Sequence, residues 1–130
     1  MVVGWFEKHY KLSSLITVFG AVAIFYMSSL TFEGVSYTTN INSILYHFFA
    51  FFFFASFLYI SSLKGKKKYP ILILALIISL LYAILDEFHQ FFVPGRNSSI
   101  VDFFIDSLGI MLASMIYAIR IEFVNRKIKE

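Results

Sequence analysis

Between residues 86 and 109 the chain reads Asp86-Glu87-Phe88-His89-Gln90, then Pro94-Gly95-Arg96, then Asp102, Asp106 and Gly109. Four of its eight acidic residues fall in this stretch. Paired carboxylates beside histidines can exchange protons as general acids and bases. The oxygens of Asp86, Glu87, Asp102 and Asp106 could instead hold a hard cation such as Mg²⁺. Such a cation would activate a phosphoryl group on a lipid head. Arg96 offers a planar fork of donors suited to phosphate or carboxylate. Together with His47, His89 and Gln90, these groups could also bind a polar head without reacting with it. No Ser/His/Asp spacing and no phosphatase motif is apparent. The chain has no cysteine, so disulfides, thiolate metal sites and a cysteine nucleophile are excluded.

These residues sit in an apolar setting. Of 130 residues, 59% are hydrophobic and 15% charged, against roughly 25% charged in a soluble domain. So short a chain has too little interior to hide that much apolar surface from water. Four apolar segments follow one another, at about 12–30, 43–63, 70–93 and 100–120. Each approaches the ~20 residues a helix needs to cross the hydrocarbon layer. Helices are expected because a backbone in lipid must pair its polar groups within the segment. Residues 48–54, six Phe and one Ala, do not alternate as a barrel strand would. The expectation is an all-α, single-domain integral membrane four-helix bundle over 1–130, with antiparallel spans. Ala21-Val22-Ala23 mimics a signal-peptidase site, but the apolar run continues to Leu30, longer than a signal core. The first segment is therefore expected to remain as a span.

Basic residues give the orientation. Lys8 and Lys11, Lys64 with Lys66 to Lys68, and Arg120, Arg126, Lys127 and Lys129 all fall on one side of a four-span chain. Ten of the eleven Lys and Arg are accounted for, which makes that side cytoplasmic and places both termini there. Trp5, Tyr10 and Tyr69 suit that interface. The net charge of +3 thus reads as a topology signal and not as a nucleic-acid surface.

Depth then brings the polar residues together. Asp86 comes sixteen residues after Pro70, about 24 Å into a core of about 30 Å. Asp86, His89 and Gln90 share one helix face, and Glu87 is turned by ~100° from it. Pro94-Gly95 fits the centre of a type II turn. Asp102 and Asp106 then face one way, with Gly109 one turn further. His47 lies near the outer start of the second span, and Ser28 and Ser29 close the first. All four spans thus bring polar groups to one outer depth, where ionisable residues are costly.

Plainer readings stand beside this one. Ser99 and Asp102 match a capping box. His47 could bond a carbonyl, Glu87 could reach the headgroups, and Asp86 could pair with Arg96 across the turn. Gln90 could join helices, as could small residues such as Gly109. Asn97-Ser98-Ser99 matches a short glycosylation sequon.

Taken whole, the stretch resembles the VanZ-like family of bacterial membrane proteins. That family carries D-E-x-x-Q, then P-G-R, then two Asp four apart followed by Gly. Here these are Asp86, Glu87, Gln90, Pro94, Gly95, Arg96, Asp102, Asp106 and Gly109, joined by Ser28, Ser29 and His47. Phe51 departs from the pattern, since many relatives have Tyr there. The resemblance implies a multi-pass protein of the bacterial plasma membrane, and its namesake is associated with resistance to the glycopeptide teicoplanin. The preferred expectation is recognition of a polar head at the outer face. The ligand-binding candidates are His47, Asp86, Glu87, His89, Gln90, Arg96, Asp102 and Asp106. Ser28, Ser29, Pro94, Gly95, Ser99 and Gly109 are expected to be structural. Expected partners are membrane lipids, a lipid-linked cell-wall precursor or lipoglycopeptide, and a second copy of the chain if one bundle cannot enclose a site. Metal-assisted chemistry on a lipid-linked phosphate, with a divalent cation such as Mg²⁺, is one alternative. A purely structural polar network is the other. A proton-coupled transporter is disfavoured, because no acid falls at the midplane.

Overall fold

The computed structural model describes residues 2–31, 41–96 and 98–127. The sequon residue Asn97, and Lys129 of the basic C-terminal group, lie outside them. Among the described residues there are five helices and no strand: α1 (Val2–Lys8), α2 (Tyr10–Ser29), α3 (Ile41–Leu63), α4 (Tyr69–Phe91) and α5 (Ile100–Lys127). Four stretches are long and apolar enough to cross a membrane: Tyr10–Ser29, Ile41–Leu63, Tyr69–Phe91 and Ile100–Val124.

The distribution of side chains is that of a protein dissolved in lipid. Large apolar residues such as Phe19, Phe53, Leu85, Phe104 and Met111 point outward. Ser13, Ser28, Ser79 and Asp106 are almost fully enclosed. Lipid removes the incentive to bury Leu and Phe, so small and polar side chains occupy the helix contacts instead. On α4 the buried face runs Leu72, Ala75, Ser79, Ala83, Asp86, Glu87 and Gln90. This is helical spacing, ending in three polar residues.

Two of the breaks between described helices have a local cause. α4 stops at Phe91, two residues short of the sequence estimate, as Pro94 approaches and cannot extend the ladder. The turn bond runs from the Arg96 amide to the Val93 carbonyl at 3.1 Å, and Gly95 has φ +77°. That is the type II geometry expected of Pro94-Gly95. The α3–α4 connection uses Lys64 at φ 53° and Gly65 at φ 72°. α1 was not anticipated. It packs against α2 and α3, and the Ser13 hydroxyl donates to the Phe6 carbonyl at 2.8 Å.

Successive spans run antiparallel, as short connections favour. Yet the most extensive packing joins α3 and α5, which run parallel and are not neighbours in sequence. α3 also touches α2 and α4. The α3–α5 contact is tightest at Gly109, where an added Cβ would lie 2.4 Å from the Phe48 carbonyl oxygen. Only glycine permits that approach.

The two ends of the bundle differ. At one end Arg120 grips Glu7 through two bonds, Nε to Oε1 at 3.1 Å and Nη2 to Oε2 at 2.8 Å. Tyr117 also donates to Glu7, and Gly65 packs against that carboxylate. Lys67 pairs with Glu122 close by, which pushes the lysine pKa upward. His47, Asp86 and Asp106 lie at the opposite end.

Candidate functional site

At that opposite end, three helices deliver buried ionisable groups into one small volume. α3 supplies His47, α4 supplies Asp86 and Glu87, and α5 supplies Asp106. A ring nitrogen of His47 and one carboxylate oxygen from each acid all lie within 4.8 Å of one another. The four residues are at most 8% exposed, and Asp106 is fully buried. The proximity follows from the glycine contact described above. Phe48 follows His47, and Asp106 lies one turn before Gly109, so seating Gly109 on Phe48 sets His47 Nδ1 2.9 Å from Asp106 Oδ1.

Surrounding side chains fix the carboxylates. The Ser28 hydroxyl donates to Asp86 Oδ1, and the Gln90 amide donates to Asp86 Oδ2 at 2.9 Å. The charge of Arg96 is felt at Asp86 and at Tyr46. Glu87, which the sequence allowed to reach the headgroups, is buried. Its Oε2 accepts the Ser99 amide at 2.9 Å. Ser99 Oγ accepts from the Val101 amide at 3.2 Å. Ser99 therefore caps α5, but the reciprocal arm comes from Glu87 on α4 and not from Asp102. Asp102 is left buried, with Oδ1 lacking a hydrogen-bond donor. Glu87 Oε1 and Asp106 Oδ2 are in the same condition.

Some candidates stand apart from the cluster. His89 lies half-buried on the α2 side, where its Nε2 is 2.9 Å from Ser29 Oγ and its ring tilts over Phe25. Asp102 is not among the four converging residues, whereas His47 is, so the set of groups near one another differs from the four carboxylates of the sequence reading. Tyr46 was not singled out, yet its ring packs edge-on against His47 and its hydroxyl senses Asp86 and Asp106. Its place directly before His47 was the available signal. Phe51 is buried one turn below His47, against Phe54 and Tyr82.

A groove of about 180 Å³ between α4 and α5 leads to this region, lined by Ile84, Glu87, Ser98, Ser99, Ile100 and Phe103. Its lining combines the buried carboxylate of Glu87 and two serines with three apolar side chains. A larger depression of about 420 Å³, by Ile116, Ile119 and Phe123, lies on α5 alone, far from these groups. Its lining is apolar apart from Arg120, which is held by Glu7.

The fold and the cluster define a class: a multi-pass helical membrane protein with an enclosed histidine–carboxylate group at one end. The chain belongs to the VanZ/LLP1 family, whose model matches residues 4–121. No curated protein and no solved structure matches it.

Proposed function

We propose that this protein recognises the polar head of a membrane amphiphile at the outer face of the bacterial plasma membrane. The ligand class is a lipid-linked cell-wall precursor or an acylated glycopeptide such as teicoplanin, and the consequence is altered glycopeptide susceptibility. One observation carries the reading: a groove whose lining sets Ile84, Ile100 and Phe103 beside the buried carboxylate of Glu87. An acyl chain against these apolar side chains would leave its head beside Glu87 and the residues behind it. Small-molecule sites combine apolar walls with a few placed polar groups in this way. The outward orientation rests on the basic residues, which gather at the other end of the bundle.

The test uses Ile100→Trp. Ile100 lines the groove and is 78% exposed, so a larger ring can be added there without displacing a buried side chain. Purified wild-type protein should carry an amphiphile that mass spectrometry recovers unaltered. The variant should lose both that ligand and any glycopeptide protection while its thermal stability is retained. If ligand and protection persist in Ile100→Trp, the groove is not the site. Divalent-metal-dependent release of phosphate from the lipid would replace recognition by catalysis. An absence of bound amphiphile in both proteins would overturn the recognition reading.

A further inference from the structure

We propose that His47, Asp86, Glu87 and Asp106 form a site for a first-row divalent transition-metal ion. Their donor atoms fit one coordination sphere. Ligands on opposite sides of an ion, each at about 2.0–2.4 Å, are separated by about 4–4.8 Å. The four donor atoms lie within 4.8 Å of one another, a spacing compatible with one shared ion.

A second observation is independent of that spacing. Glu87 and Asp106 are 8% and 0% exposed, and each keeps a buried oxygen, Oε1 and Oδ2, with no hydrogen-bond donor. Buried polar atoms nearly always find a partner. Three enclosed carboxylates this close together, when ionised, also carry more negative charge than Arg96, whose charge is felt at Asp86, can offset alone. A divalent ion would answer both.

The supporting bonds are those of a metal centre. Ser28 and Gln90 orient Asp86, and the Ser99 amide orients Glu87, while His47 and Asp106 bond each other within the set. Outer contacts of this kind fix the rotamers and tautomers of ligands. Each carboxylate oxygen has a second lone pair, so these bonds leave room for coordination. One imidazole among three carboxylates suits Mn²⁺ or Zn²⁺ better than Mg²⁺, which takes oxygen ligands and keeps its water. The donors come from α3, α4 and α5, so the ion would join three helices.

The site stands whether or not the groove takes an amphiphile, and the two are separable: metal without bound lipid, or lipid without metal, assigns failure to one reading alone. Elemental analysis of protein purified without chelator should find Mn or Zn at close to one ion per chain. After chelator treatment, adding Mn²⁺ or Zn²⁺ should raise the unfolding temperature saturably. Glu87→Gln keeps an acceptor for the Ser99 amide and is expected to fold. In it, and in Asp106→Asn, the apparent affinity should weaken by about tenfold or more. Protein that is metal-free as purified, with an unfolding temperature indifferent to both ions, overturns the proposal. An equal metal response in Glu87→Gln and wild type does so too, because it puts the ion elsewhere.

Discussion

Gly109 on α5 stands directly against the Phe48 carbonyl on α3, with room for no side-chain atom between them. The obstacle to a larger residue is backbone, which cannot swing aside. Gly109→Ala is therefore expected to push α3 and α5 apart. Over-packing of this kind costs roughly 1–3 kcal/mol. The unfolding temperature in detergent should fall. The His47–Asp106 contact next to this point should lengthen, readable as lost coupling between His47→Gln and Asp106→Asn in a double-mutant cycle. Unchanged stability would mean the helices are further apart than described.

Adjacent serines at the end of α2 make a second comparison. Ser28 donates to the buried Asp86, whereas Ser29 bonds its own helix and the half-buried His89. Ser28→Ala leaves a buried carboxylate oxygen without its donor, at about 1–3 kcal/mol. Ser29→Ala should cost less than about 0.5 kcal/mol, as partly exposed positions usually do. Chemical denaturation in mixed micelles measures both, and equal losses would contradict the placement of Asp86.

At the other end of the bundle, Arg120→Lys keeps the charge but loses the two-pronged grip on Glu7. The pair is partly shielded, with side chains 25% and 12% exposed. A loss of about 1 kcal/mol is expected. Faster amide exchange should be confined to α1 and its contacts. Metal and amphiphile binding at the far end should be unaffected.

Gly95 allows a fourth measurement. An added Cβ would meet Thr31 at 4.0 Å, ordinary contact, so only the backbone conformation at φ +77° is at stake. Gly95→Ala should cost about 1–2 kcal/mol, and Gly95→Asn less, because Asn tolerates that region. The two variants ranked by unfolding temperature decide it.

Orientation is open to labelling, since the chain has no cysteine of its own. Ser98→Cys, exposed at the cluster end, should react with an impermeant maleimide on intact cells. Lys66→Cys should react only after lysis. The reverse pattern would put the cluster in the cytoplasm.

Much of this architecture could be read in the residues. Apolar run lengths gave the four spans, and Pro94-Gly95 gave its turn, because both depend on local chemistry. The meeting of His47 with Asp106 was legible only as a shared depth. Depth does not say which helices touch, and the parallel α3–α5 contact follows from a glycine whose neighbour is 61 positions away. The capping motif misled for a related reason. Ser99 and Asp102 have the right spacing, but Glu87 reaches the Ser99 amide from the preceding helix. The Glu7–Arg120 grip was hidden because its partners lie 113 positions apart and Arg120 alone reads as a topology signal.

Glu87 divides its carboxylate between two duties. Oε2 fastens the first turn of α5, while Oε1 has no donor. An incoming ion or head group that takes the second oxygen need not unfasten the first. If the proposed site binds and releases such a group, the first turn of α5 would keep its fastening throughout.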